Sequence, residues 1–480
     1  MKHNDYTPLN IRERRSSRVS FWSSILFLAA AFLVLRFMDY QLVRKPQIQE
    51  QKELEAKEEG SLIPVEEKAQ VSKATVIAVG DNLYHNSLID FGKRDSGEWN
   101  YEGLYEHVAD EVRAADIAIA DQETVLTRDH SKVAAYPTFW SPAEAADALV
   151  STGFDVIYSA TNHTDDHGLE GIRETLDFWK TDHPEITLLG IHDSQEDADT
   201  VKIREVNGIR IAFLEYTYGT NMADTAGIPE YMIDMFSDGH ERVAEMIRKA
   251  KAEADCLIFI AHWGTEDETM PTEYEKQWAN FLMKQGVDVV IGGHPHVAQP
   301  YGRMMDEEGH NMVIFYSLGN FVSCMNLLQD VVEGMGSFTI QKTVRGDEVS
   351  IEILNPTVKP MVMHYDYSLQ DLGVYMLDDY TEEQASVHGS AQYEGEGVVS
   401  LKNMYRKFRE IMSMNVEPST DTDLMDVFFN WDGSLIDPDG NVVEDNRSIS
   451  EYGYYGKRLI NVSDYTSDEE IDYTADYSQG

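Results

Sequence analysis

The sequence predicts an α/β domain over residues 74–365, preceded by one N-terminal transmembrane helix and followed by an acidic C-terminal region. Three observations predict it. From Ala74 onward short apolar strands alternate with amphipathic helices, the pattern of a sheet buried between helices. Several of those strands end in a side chain able to hold a metal or a hydrogen bond, and ligands collect beyond the carboxyl ends of strands in such sheets. Residues 20–38 form an apolar run of about the length that crosses a bilayer.

The N-terminal run reads SFWSSILFLAAAFLVLRFM. Its one charge, Arg36, stands at the C-terminal end, where a long side chain snorkels to the headgroups. Lys2, Arg12, Arg14, Arg15 and Arg18 precede it, against Arg44 and Lys45 after it. The heavier basic flank stays cytoplasmic, which puts everything after residue 40 outside the cell. The sequence FMDYQLVRKP offers no small-residue cleavage site, so an uncleaved signal-anchor over 20–39 is expected, with residues 1–19 as a cytoplasmic basic tail. Residues 40–73, including QEQKELEAKEEG, are charge-mixed and read as an exposed stalk.

In the main domain the expected strands are TVIAVG (75–80), DIAIA (116–120), DVIYSA (155–160), TLLG (187–190), IRIAFLEY (209–216), DCLIFIA (255–261), VDVVIG (287–292) and NMVIFYS (311–317). Apolar residues at three- and four-residue spacing predict helices over 101–114, 142–152, 168–180, 240–254 and 273–285. After Phe321 the character becomes all-β. SFTIQKTV and VSIEILNPTV form a hairpin turning at Arg345-Gly346-Asp347, and the domain closes near residue 365. Residues 366–480 are acidic and tyrosine-rich, with one helix expected at 401–412 and a turn at 437–440. The final residues, DYTSDEEIDYTADYSQG, carry too few aliphatics to fold alone.

Composition narrows the function. An apolar fraction of 42% is that of a globular chain, and two cysteines, Cys256 and Cys324, make no disulfide framework. A formal charge of −46 repels phosphate backbones and argues against nucleic-acid binding.

The chemistry lies at the strand ends. Asp81 follows TVIAVG, Glu123 follows DIAIA, Asn162 and His163 follow DVIYSA, His262 follows DCLIFIA, and His294 and His296 follow VDVVIG. One such residue alone reads best as a satisfied core polar group; six or seven together read as a site. Imidazole with carboxylate is a ligand set for Mn, Fe or Zn and disfavours calcium. In GGHPH (292–296) the glycines are expected to let the backbone turn so that both imidazoles face one point.

VGDNLYHNSL (79–88), DQETVLT (121–127), TNHTDDHGLEGIRETLDF (161–178), HWGTEDE (262–268), GVDVVIGGHPHVAQP (286–300) and FYSLGNFV (315–322) occur in order. Together they resemble the bacterial CapA family, whose members include proteins of poly-γ-glutamate capsule synthesis. That family is similar to the calcineurin-like metallophosphoesterases, which implies a β-sandwich flanked by helices. The resemblance implies that Asp81 is a metal ligand and that Glu123 stands where the phosphoesterases carry a bridging aspartate. It implies Asn162 on a metal, His163 as catalytic acid or transition-state donor, and His262, His294 and His296 in the metal shell. Asp166 and Glu266 are typical family positions, expected to orient a neighbouring group.

Three departures stand out. Asp81-Asn82-Leu83 replaces the Asp-x-His of the phosphoesterases, so that either His85 supplies the missing imidazole or nothing does. Thr161 stands where Asn is common, and Asp121 where family members often have Asn.

The expectation is a membrane-anchored extracellular protein acting in capsule or poly-γ-glutamate synthesis or export through one or two divalent ions. Partners would be the membrane and other membrane subunits of a synthesis or export complex. The alternative is a metal-dependent phosphoesterase acting on a cell-envelope substrate unrelated to capsule.

Overall fold

The computed structural model describes residues 13–52, 69–222, 227–306, 309–394 and 398–416, with backbone strands at Phe428–Phe429 and Leu435–Ile436. The chain divides into two compact units, Met1–Ala69 and Gln70–Gly480. In the first, Glu13–Asp39 is a helix of 27 residues, continued by a π-helical turn over Tyr40–Arg44 in which Arg44 pairs with Asp39 at 2.9 Å. Phe27, Leu28, Leu33 and Leu35 on this helix are exposed. Among the described residues no helix is long and apolar enough to cross a membrane, and the expected span at 20–39 falls partly on side chains outside the described set.

The second unit holds two large sheets. One has seven strands in the order Leu372–Met376, Glu348–Tyr365, Val332–Arg345, Gln70–Ala78, Ile117–Asp121, Val156–Tyr158, Thr187–Leu189. Its first four strands run antiparallel to their neighbours; from Gln70–Ala78 onward the pairing is parallel. The other has six strands in the order Tyr301–Met305, Asn311–Phe315, Val289–Gly293, Cys256–His262, Ile209–Thr217, Lys202–Val206, parallel in its four central members.

Period-two alternation explains how they pack. Ile209, Ile211, Phe213, Ile258, Ile260, Val289, Ile291, Val313 and Phe315 share one buried cluster with Val76, Ala78, Ile117, Ile119, Val156 and Tyr158 of the other sheet. The intervening Ala212, Leu214, Leu257, Phe259, Val290 and Ile314 face a second cluster formed with helices His240–Glu253 and Glu273–Gln285. Strands buried on both faces read as continuous apolar runs, as these do.

Most expected helices form close to their predicted bounds, at Ala143–Thr152, Gly168–Asp182, His240–Glu253, Glu273–Gln285 and Leu401–Met412. Glu273–Gln285 shows why: Thr272 and Glu275 make a capping box at its start, and Gly286 takes φ 84° just past its end. The helix expected over 101–114 is instead a 3₁₀ turn at Glu102–Leu104 and a short helix at Ala109–Ala114. The apolar stripe is real, since Tyr101, Leu104, Tyr105, Val108 and Val112 are all buried. Buried tyrosines need partners, however, and these two reach Ile89 O at 3.0 Å and Asn82 Oδ1 at 2.9 Å.

The hairpin forms with Arg345 opposite Glu348 and Gly346 at φ 61°, the positive φ that a two-residue loop requires. The sheet does not end at 365, because Leu372–Met376 adds an edge strand and Met404 and Phe408 of Leu401–Met412 join the main core. The turn at 437–440 and the final segment lie outside the described residues. Cys256 and Cys324 are buried free thiols.

Near the edge of the first sheet, His192 is buried between Asp234 (2.8 Å) and Asp197 (3.5 Å). Burial alone would lower its pKa, but the two carboxylates outweigh it and hold the imidazole up at about 9. A group raised in the folded state stabilises fully below its unfolded pKa of 6.5 and loses that contribution as pH climbs through the folded value. Wild type is therefore expected to lose up to about 3 kcal/mol relative to His192→Gln between pH 6.5 and 9. Urea unfolding of both chains across that range checks it.

Candidate metal centre

The carboxyl ends of parallel strands from both sheets meet. The seven-stranded sheet contributes Asp81 just beyond Gln70–Ala78, Asp121 ending Ile117–Asp121, Glu123 two residues on, and Asn162 and His163 after Val156–Tyr158. The six-stranded sheet contributes His262, which ends Cys256–His262, and His294 and His296 after Val289–Gly293. All eight are buried.

Polar contacts cross between the sheets. The His294 N–H donates to Asp81 Oδ2 at 3.1 Å, and His296 Nδ1 lies 3.1 Å from both Asp81 Oδ2 and Asn320 Oδ1. His262 Nε2 meets Asn162 Oδ1 at 2.8 Å. Thr161 Oγ1 donates to the Glu123 carbonyl at 2.6 Å and accepts from the His163 N–H at 3.1 Å, fixing the loop that carries Asn162 and His163. His163 Nδ1 lies 2.7 Å from Asp166 Oδ2, which also accepts the Phe139 N–H at 2.6 Å.

GGHPH turns differently from the expectation. Gly292 and Gly293 are the last residues of a strand, and the left-handed backbone falls on the histidines, at φ 96° for His294 and 56° for His296. Non-glycine residues there are strained, and such strain persists only where surrounding structure imposes it. The glycines are required by space. A Cβ on Gly293 would sit 2.7 Å from Asp81 Oδ1 and 3.3 Å from Tyr158 Oη.

Four sets of ligand atoms lie within 4.8 Å of one another: Glu123, His262, His294; Asp81, Glu123, His296; Asp81, Asp121, His262; and Glu266, His294, His296. Glu123 and Asp81 each serve two fully buried sets, so the candidate positions share carboxylates. Both oxygens of Asp121 and of Glu123, together with His262 Nδ1, His294 Nδ1 and Tyr158 Oη, are buried with no hydrogen-bond partner among the described residues. Unsatisfied charged oxygens at this depth are costly, and a bound cation would satisfy them.

The electrostatics agree. Burial pushes the Asp121 carboxyl up, with Asp81 and Glu123 adding to it. Burial also pushes Glu123 up to about 8, against the pull of His296 and with Asp81 adding. Burial and the neighbouring imidazoles hold His262 and His294 low, in the neutral form a metal takes. At His296 burial works downward, but Glu123 and Asp81 outweigh it and raise the pKa. Imidazole mixed with carboxylate suits Mn, Fe or Zn. These residues fit a divalent transition ion, and their overlap suits a pair.

Asp81, Glu123, His262, His294 and His296 are thus brought together, and Asn162 stands against His262. His85 is in none of the four sets. Its Nδ1 faces the Cys324 N–H at 3.5 Å and its ring packs edge-on to Phe139, while burial, His296 and His163 hold it down at about 4. Glu266 is exposed, and its carboxylate lies within 4.8 Å of ring nitrogens of His294 and His296. Sequence reading left two residues out of the ligand set, Glu266, which it gave only an orienting role, and Asp121, whose signal was its place at the very end of the strand DIAIAD.

The family described as bacterial capsule synthesis protein PGA_cap matches residues 75–325. The PGA biosynthesis protein CapA of Bacillus subtilis (strain 168) is 30% identical over 227 residues, covering 46% of this chain and 57% of that one. The capsule biosynthesis protein CapA of Bacillus anthracis is 27% identical over 258 residues, covering 52% and 60%. This chain therefore spans less than two thirds of the length of these relatives. A solved hypothetical protein from Thermus thermophilus aligns with 60% of this chain and 99% of its own at a TM-score of 0.34 and 14% identity, too slight a likeness to argue from.

Proposed function

The chain belongs to the family of bacterial capsule synthesis protein PGA_cap, and from that premise we propose that it acts outside the membrane in making or exporting a capsule polymer of the poly-γ-glutamate kind, through a metal-dependent hydrolytic centre. The observation that carries the metal reading is the set of overlapping, buried and unpartnered ligand atoms around Asp81, Asp121 and Glu123. The names of the two Bacillus relatives support the capsule role. The apolar run at 20–38, with its basic N-terminal flank, supports a membrane anchor.

Asp81, Glu123, His262, His294 and His296 would hold the ions, with Asp121 beside them and Asn162 fixed by His262. A divalent ion there supplies charge neutralisation and an activated water. The chain's own residues supply the proton. Burial works against the charge on His163, but Asp166 beside its Nδ1 raises its pKa, so the imidazolium can protonate a departing oxygen. The ring is set edge-on against Phe139, 4.7 Å between centroids, which limits its rotation. Ions held by these residues would also offset locally the field of a chain of charge −46, which otherwise repels a polyanion.

Two assays test this together. The full chain in detergent is expected to hydrolyse a phosphodiester probe or a γ-linked glutamate polymer, and to restore capsule to cells lacking their own member of the family. His294→Ala/His296→Ala should lose metal and both activities. Asp166→Asn should keep its metal and lose turnover roughly 10- to 100-fold. Capsule restored by the double variant would contradict the role assigned to the centre, and metal without turnover on either substrate would contradict the hydrolytic step.

A further inference from the structure

On the centre's flank, among the described residues, the buried carboxyl group of Glu215 belongs to none of the four ligand sets. Glu215 lies in the strand Ile209–Thr217 of the six-stranded sheet and is 1% exposed. Its two oxygens accept from the backbone of the other sheet, Oε1 from the Ala160 N–H at 2.8 Å and Oε2 from the Ser159 N–H at 3.1 Å. Those amides are the first two beyond the strand Val156–Tyr158, and Asn162 and His163 follow after Thr161.

The approach is built for this contact. A Cβ on Gly190 would stand 2.1 Å from Glu215 Oε2 and 2.5 Å from the Ala160 Cβ, so a side chain there would displace the carboxylate. The rest of the loop hangs on the metal centre: Thr161 on the Glu123 carbonyl, Asn162 Oδ1 on His262. Two N–H groups need two acceptor oxygens, which a carboxyl group supplies and a carboxamide, with one acceptor and one donor group, does not.

We infer that Glu215 is a positioning residue that sets the Asn162–His163 loop against the metal ligands of the opposite sheet. The inference rests on the metal reading above and adds to it a residue outside the ligand set. It accounts for an ionisable group kept at a depth where a neutral side chain would cost less.

The test uses the full chain, with Mn²⁺ as the probe and hydrogen exchange as a readout independent of metal. Glu215→Gln is expected to speed exchange across residues 159–163 at least about 10-fold and to weaken Mn²⁺ binding roughly 10- to 100-fold. Protection of Cys256–His262 and the melting temperature should stay near wild type. Glu215→Asp, whose carboxylate falls one methylene short, should shift both readouts the same way and serves if the first variant does not fold. Unchanged exchange at 159–163 would overturn the inference, and so would exchange raised across both sheets with a lowered melting temperature, the mark of a general brace. Wild type that binds no Mn²⁺, with exchange in the variant still raised only at 159–163, would sink the metal reading and leave the positioning role standing.

Discussion

Glu123→Gln is expected to remove metal from two buried ligand sets at once while leaving the metal-free protein at least as stable as wild type. Glu123 is the carboxylate common to His262/His294 and to Asp81/His296. Losing a shared ligand should cost more than the roughly 10- to 100-fold typical of groups that merely orient one, so affinity should fall by more than about 100-fold. Stability should move the other way. Burial raises the Glu123 pKa from 4.5 to about 8, so ionising it costs more in the fold than in the unfolded chain. For a carboxyl raised in this way, stability is fully present below pH 4.5 and is lost as pH climbs toward 8. The glutamine has no such loss, and metal-free variant should exceed metal-free wild type by on the order of 1–3 kcal/mol at about pH 7. Calorimetric titration with Mn²⁺ or Zn²⁺, beside unfolding of the chelated proteins, reads both. A variant that binds metal as wild type does, or that is much less stable without it, would show Glu123 to be a structural group.

Gly293→Ala is expected to disable the centre through one methyl group. The new carbon would stand 2.7 Å from Asp81 Oδ1, 3.3 Å from Tyr158 Oη and 3.6 Å from His262 Nδ1. No backbone strain is involved, because Gly293 does not take a positive φ. Overpacking of this kind costs about 1–3 kcal/mol, and here the atom that must move is a ligand shared by two sets. Metal affinity should therefore fall at least about 10-fold, with a melting temperature several degrees lower. Gly302→Ala is the control, since nothing lies within 4 Å of its added carbon. Equal metal binding by the two variants would contradict the placement of Asp81.

These effects follow from features that sequence shows unevenly. Strand ends were legible because apolar runs stop abruptly at Asp81, His262 and His294, and polar residues at such stops are conspicuous. Asp121 was harder to see, for it closes an alternating D-I-A-I-A-D stretch and reads as an ordinary terminal residue until a second sheet brings His262 to 3.5 Å from it. Glu215 was not legible at all. It sits inside the run IRIAFLEYT, and its meaning depends on which sheet faces it. The left-handed backbone at His294 and His296 was likewise hidden, since the glycines before them suggested where the turn would fall. The stripe over Tyr101–Val112 announced burial correctly but not the break between the turn at Glu102–Leu104 and the helix at Ala109–Ala114. That Leu372–Met376 and Leu401–Met412 join the main core is a matter of packing rather than pattern.

The central claim is that Asp81, Asp121, Glu123, His262, His294 and His296 form a centre for divalent transition ions. Elemental analysis of the full purified chain, beside His294→Ala/His296→Ala, tests it most directly. The account predicts about one to two equivalents of Mn, Fe or Zn in wild type and a near-complete loss in the variant. Wild type without metal, even after loading with each ion in turn, would contradict it.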